Sequence, residues 1–171
     1  MFKLIGIIGL IMSMGMMGVF KFTRLKRRKE LLDDFLKLVM ELRSQINYFK
    51  EPLPDLFLKI SQNNESAAFL LVKEVGYEIN EKKLQIAEIW PLKVKKIYEK
   101  EHLTDIDMEL LKYVGSFIGQ TDYNNHLTHF QYLEEHLKIQ MDEAEEDIRR
   151  RGPLLKKMGF LVGIMISLVL L

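Results

Sequence analysis

Apolar and polar positions divide the chain into three stretches. Leu4 to Phe20 is a run of 17 residues without a charge, about 26 Å as a helix at ~1.5 Å per residue and close to the ~30 Å hydrocarbon core of a bilayer. At the other end, Met158 to Leu171 is an uncharged run of 14 residues, only about 21 Å long as a helix. Counted from Leu154, with Lys156 and Lys157 snorkelling back to the headgroups, it reaches 18 residues and spans a locally thinned bilayer. Between the two runs, apolar residues recur at steps of three and four. Leu31, Phe35, Leu38, Leu42, Ile46 and Phe49 continue the first segment as an amphipathic helix that stops before Pro52. Pro54 and Asp55 open a short helix carrying Leu56, Phe57 and Ile60 inward.

Residues 66–77 and 82–100 predict two more helices, the second bearing Trp90, Val94, Ile97 and Tyr98 and interrupted by Pro91, which implies a kink or a late start. Thr104 and Asp107 are spaced as a capping box before Leu110, Leu111, Val114, Phe117 and Ile118, with Gly119 as the stop. Asp122 is placed to cap the longest helix, whose stripe reads Tyr123, Leu127, Phe130, Leu133, Leu137, Met141, Ala144 and Ile148 and which ends at Gly152-Pro153. No alternating β-branched run appears. The pattern therefore predicts an all-α antiparallel helical bundle at 23–151, between an N-terminal membrane anchor at 1–22 and a short C-terminal membrane segment at 154–171.

Charge gives this outline a direction. All 24 acidic residues lie between Glu30 and Asp147, and residues 30–148 hold 13 basic ones, a net of −11 that the overall +1 conceals. Lys21, Arg24, Lys26, Arg27, Arg28 and Lys29 follow the first apolar run, and Arg149, Arg150, Arg151, Lys156 and Lys157 collar the second. By the positive-inside bias, both collars put the middle of the chain in the cytoplasm, with lipid as their partner. The sequence Lys-Phe-Thr-Arg after the first run offers no small-residue cleavage site, so the segment is expected to be retained. A body this acidic argues against a nucleic-acid partner. The absence of cysteine leaves no disulfide framework or thiolate site and fits a reducing compartment.

Motifs for catalysis are missing. There is no glycine-rich turn followed by Lys and Ser or Thr to cradle phosphates, so energy, if used, comes from a partner. None of the six serines lies in a Gly-x-Ser-x-Gly elbow. His126 and His129 have a spacing that can ligate one metal, with His136 two turns further on, but no HExxH pattern completes a set. Asp142, Glu143, Glu145, Glu146 and Asp147 lack the glycine and alternating oxygens of a calcium loop and read as a solvated helix face. Gly115 and Gly119 read as close helix packing plus a cap. No catalytic residue, cofactor or metal is expected. Two readings from other classes stay open: a membrane-bound metal-dependent hydrolase using His126, His129 and nearby carboxylates, and a signal-transducing coiled-coil dimer built on the long helix.

A resemblance joins these pieces. The Glu51-Pro52-Leu53-Pro54 turn, the isolated Trp90, the segment from Leu103 to Leu111, and Val114-Gly115 leading through Ile118-Gly119 to Asp122 resemble the stage III sporulation protein AB family. Lys156 to Gly163, with Gly159 and Gly163 four apart, is similar to that family's closing segment. His126, where the family usually has Gln, and the Arg151-Gly152-Pro153 break depart from the pattern. The resemblance implies a cytoplasmic part similar to the helical domain of type II secretion protein F. It further implies a non-enzymatic scaffold in endospore formation, on the mother-cell side of the membrane around the forespore. Its implied partners are a stage III sporulation protein AA-like ATPase and other channel subunits of a secretion-like complex.

Overall fold

A computed structural model of the chain describes residues 2–48, 52–118 and 123–169. Among them every regular element is an α-helix: α1 (Phe2–Tyr48), α2 (Leu53–Ile60), α3 (Ala67–Lys82), α4 (Ile86–Glu101), α5 (Asp105–Ile118) and α6 (Tyr123–Val169). Two compact units form. Unit 1 comprises residues 1–29 and 142–171, and unit 2 comprises residues 30–141.

Unit 2 is a helical bundle whose elements begin and end for local reasons. Pro52 precedes α2 with φ −58°, its carbonyl accepting from the amide of Leu56 at 3.1 Å. A proline suits this position because the first amides of a helix have no intrahelical acceptor. Pro91 lies inside a helix, as the sixth residue of α4: α3 runs on to Lys82, Lys83 closes it with a left-handed backbone, and α4 begins at Ile86. The expected helix over 82–100 is thus shortened at its front but still runs through Pro91, which lies past the first turn and gives up the i→i−4 bond to the Ala87 carbonyl.

The capping box of α5 forms reciprocally. Asp107 Oδ2 accepts from the Thr104 amide at 2.9 Å, and Thr104 Oγ1 accepts from the Asp107 amide at 3.2 Å. Aspartate serves in place of glutamate here, and its side chain is fully buried. Asp107→Ala is expected to lower the stability of the bundle by about 1–2 kcal/mol through loss of the cap. A shift in the urea midpoint of far-UV circular dichroism measures it.

The core is apolar and centred on Trp90. Leu32, Phe35, Leu38, Val39 and Leu42 of α1, Leu56 and Phe57 of α2, Val72 and Val75 of α3, Leu111 and Val114 of α5, and Phe130, Leu133 and Leu137 of α6 are buried. Trp90 is fully buried, its Nε1 donates to the Leu111 carbonyl at 2.7 Å, and its ring tilts against Phe57 with centroids 6.2 Å apart. Indole needs such a partner when buried. Pairing between α4 and α5 runs Tyr98 to Asp105 and Trp90 to Leu111, so these helices are antiparallel.

Two expectations for α6 change. Its buried stripe keeps Phe130, Leu133, Leu137 and Ala144 and adds His126 and Gln140, while Leu127 is 41% exposed and Met141 half-buried. The helix also does not end at Gly152-Pro153 but continues to Val169. Proline disfavours a helical predecessor mainly by crowding that residue's Cβ and amide, and glycine has no Cβ.

Among the described residues, no helix is long and apolar enough to cross a membrane. The spans expected at 1–22 and 154–171 are therefore not found there. Several of their most apolar side chains, those of Leu4, Ile5, Ile7, Leu10, Phe160, Val169, Leu170 and Leu171, lie outside the described set.

Candidate functional site

Unit 1 brings the two terminal segments side by side. Contacts proceed from Arg28 with Glu143, through Phe22 with Gly152 and Gly18 with Gly159, to Ile11 with Gly163, so one segment ascends as the other descends. The seam is made of glycine. A Cβ built on Gly159 would lie 2.6 Å from the Met14 carbonyl oxygen and 3.3 Å from the Gly15 Cα, and one on Gly163 would lie 2.9 Å from the Ile11 Cα. A Cβ on Gly18 would strike the Leu155 carbonyl, and one on Gly152 would lie 2.7 Å from the Phe22 ring. Small residues let two helix backbones approach closely, as in helix pairs within lipid.

The larger apolar side chains face the other way. Met12, Met16, Phe20, Leu161, Met165 and Leu168 are each more than half exposed. A water-facing helix pair puts its large apolar groups in the seam and its polar ones outside; this unit reverses that order.

The collars meet beside the seam. Unit 1 holds 12 basic and 5 acidic residues. Lys21, Arg24, Lys26, Arg27, Arg149, Arg150, Arg151 and Lys157 are exposed, Arg28 is buried and Lys29 is half-buried; the side chain of Lys156 lies outside the described set. Lys29 pairs with Glu145 at 2.6 Å and Arg28 with Glu143 at 3.6 Å. Arg150 and Arg151 pair with Glu146 and Asp147 one turn back on α6. The hydrogen bond from Lys29 holds the Glu145 carboxyl below the usual carboxylate range. The acidic run read as a solvated face is largely exposed, and four of its five carboxylates also form surface ion pairs with the basic collars.

In unit 2 the positions expected from the family pattern serve packing. Pro52 and Pro54 frame the entry to α2, and the Pro54 carbonyl lies with Phe57 against Gly76 of α3. A Cβ on Gly115 would lie 2.5 Å from the Trp90 side chain, so glycine there makes room for the indole. Gly119 and Asp122 lie outside the described residues.

The histidines pack separately on aromatic rings. His129 stacks on Phe117 at 5.0 Å, and its Nδ1 lies 2.5 Å from the Tyr113 hydroxyl. His126 meets Phe117 edge-on at 5.8 Å, and His136 lies over Tyr132 at 3.9 Å. Among the described residues, no group of three His, Cys, Asp or Glu side chains could hold a metal ion.

Sequence reasoning missed two features. Gly18 and Gly152 belong to the seam, which their own neighbours in sequence do not reveal because each glycine's partner is 130 or more residues away. An open groove of about 600 Å³ lies between α5 and α6, lined by Ile106, Leu110, Tyr113, Tyr132, His136 and Ile139 among others. Its signal was the apolar Ile106 and Ile139, which fall off the inward stripes. Elsewhere Lys93 joins Glu74 at 2.8 Å and Glu78 at 2.7 Å between α3 and α4. Partial burial works against the Lys93 ammonium, but the two carboxylates outweigh it and raise its pKa.

Comparison with known proteins agrees with this architecture. The chain is 20% identical over 171 residues, covering 100% of each protein, to stage III sporulation protein AB of Bacillus subtilis (strain 168). A solved structure of stage III sporulation protein AB matches with a TM-score of 0.64 at 19% identity, covering 71% of this chain and 96% of that one, which shows a shared fold. The family model described as stage III sporulation protein AB matches residues 3–171, and the chain belongs to that family.

Proposed function

We propose that this sporulation protein is a non-enzymatic scaffold, seated in a membrane by its terminal hairpin, that holds a cytoplasmic ATPase against a secretion-like channel. Unit 1 is the observation that supports this reading most. Gly15, Gly18, Gly152, Gly159 and Gly163 face inward, the large apolar side chains face outward, and both basic collars stand at the same end of the apolar hairpin. That ordering suits a hairpin surrounded by lipid, with both collars at one headgroup layer and the acidic body on the cytoplasmic side. Seventeen and fourteen uncharged residues make a short pair, which a bilayer accommodates by thinning locally.

The ATPase half of the proposal rests on the chain's lack of a phosphate-cradling loop and on the resemblance of its family to type II secretion protein F. A stage III sporulation protein AA-like ATPase is the proposed partner, together with other channel subunits. Unit 2, residues 30–141, carries 19 carboxylates against 13 basic groups, which would present negative docking faces. The membrane is taken to be the mother-cell side of the one that surrounds the forespore.

Tagged full-length chain, extracted in mild detergent from sporulating cells, is expected to bring a P-loop ATPase with it. Topology reporters inserted after Phe22 and before Lys156 are expected to give cytoplasmic signals at both sites. An extracytoplasmic signal at either site removes the hairpin reading. Purification without any ATPase removes the coupling role.

A further inference from the structure

Beside the glycine seam, Met14, Met17, Met158 and Val162 wall a groove of about 200 Å³, with Gly18 and Gly159 along it and Lys21 at its rim. Lys21 is exposed, and Met17 and Met158 are more than half exposed. No acidic residue lines this groove.

The placement of the carboxylates explains why. All five acidic residues of unit 1 fall between Asp142 and Asp147, and Glu143, Glu145, Glu146 and Asp147 engage Arg28, Lys29, Arg150 and Arg151. Leu155, which also lines the groove, lies eight residues beyond Asp147, about 12 Å along the helix. The carboxylates of unit 1 are thus held apart from the groove, and exposed Lys21 is the one charged residue among those lining an otherwise apolar slot. Methionine side chains, unbranched and flexible, adapt to a chain of undefined conformation. A cation at the mouth of an apolar groove between two helices has the chemistry that takes a phosphate headgroup and the tail attached to it.

We propose that this groove binds one anionic phospholipid, its phosphate on the Lys21 ammonium and one acyl chain lying along Met14, Met17 and Met158. The site rests on the membrane reading above. It differs from the rest of the collar, which attracts anionic lipid diffusely, in holding a single lipid with an apolar contact as well as a charge.

Native mass spectrometry of the full-length chain in mild detergent, titrated with phosphatidylglycerol, phosphatidylcholine or inorganic phosphate, tests it. One phosphatidylglycerol is expected to be retained in preference to phosphatidylcholine. Lys21→Gln is expected to weaken it about fivefold, Lys21→Arg to keep it, and Lys138→Gln to leave it unchanged. Met17→Trp, which fills the slot from an exposed position, is expected to weaken retention without altering the charge. Equal retention of the two lipids, or a Lys21→Gln chain that behaves like the parent, overturns the site. Displacement of the lipid by inorganic phosphate at millimolar concentration shows a simple anion site and also overturns it. Flotation separates the two levels. A chain that floats with no vesicle of either lipid loses the membrane reading and the site together, whereas one that floats with both and shows no preference loses the site alone.

Discussion

Trp90→Ala is expected to destabilise the central bundle by about 3–5 kcal/mol, a large share of the total stability on the order of 5–15 kcal/mol for a domain. Trp90 is fully buried among α2, α4 and α5. Truncation would leave a cavity that the surrounding helices fill only in part, and it would remove the donor that the Leu111 carbonyl uses at 2.7 Å. A buried acceptor left unmade adds to the loss of packing.

The residue opposite makes the claim sharper. Gly115→Ala puts a methyl group 2.5 Å from the indole, and the indole cannot move away without disturbing Phe57 on its other side. Overpacking of this kind costs about 1–3 kcal/mol. In a Trp90→Ala background Cγ and Cδ1 are gone and only the alanine Cβ, 2.5 Å from the new methyl, still crowds it, so the two substitutions are expected to cost less together than their sum. Urea unfolding of all four chains, followed by far-UV circular dichroism, measures the coupling. Additive costs would show that Gly115 is not making room for the indole.

The second large effect concerns unit 1. Gly159→Leu is expected to separate the terminal segments, because even its Cβ would lie 2.6 Å from the Met14 carbonyl oxygen and 3.3 Å from the Gly15 Cα. These are backbone atoms of a helix and cannot step aside as a side-chain tip does. Without the close approach, the contacts of Gly18, Gly152 and Gly163 along the same seam loosen together. The chain contains no cysteine, so a pair introduced as Phe22→Cys and Gly152→Cys reports one contact cleanly. Cross-linking is expected in the otherwise unchanged chain and is expected to fall sharply when Gly159→Leu is added. Gly6→Leu is the control, since a Cβ there meets nothing within 4 Å. Equal cross-linking in all three chains would falsify the role assigned to the seam.

Much of the bundle was legible because its signals are local. The stripes of α1 and α5 follow from residues a turn apart, and the Thr104–Asp107 cap forms between neighbours three residues apart. Long-range packing was not legible in that way. Leu127 and Met141 fell on the apolar stripe and His126 and Gln140 did not, because a purely apolar reading cannot know that aromatic Phe117 receives the His126 ring. The Gly152-Pro153 pair looked like a stop because proline was weighed without the missing Cβ before it.

The apolar character of the two ends was plain from composition, whereas their mutual fit was not. Gly159 and Gly163 share a helix face by their spacing, but their partners Met14, Gly15 and Ile11 are named only by the folded chain. The histidines show the same limit. Sequence spacing put His126 and His129 one turn apart, but packing directs both rings onto Phe117 and leaves His136 with Tyr132.

Trp90 is the chain's one indole, and it sits wholly inside unit 2. Ultraviolet emission from the intact protein in vesicles therefore reports the solvation of that body and carries no indole signal from the terminal hairpin. A lesion in the hairpin that left the emission maximum in place would have stayed local, while a red shift would mean that the damage had travelled. The protein carries its own optical probe for telling the two apart, without any added dye.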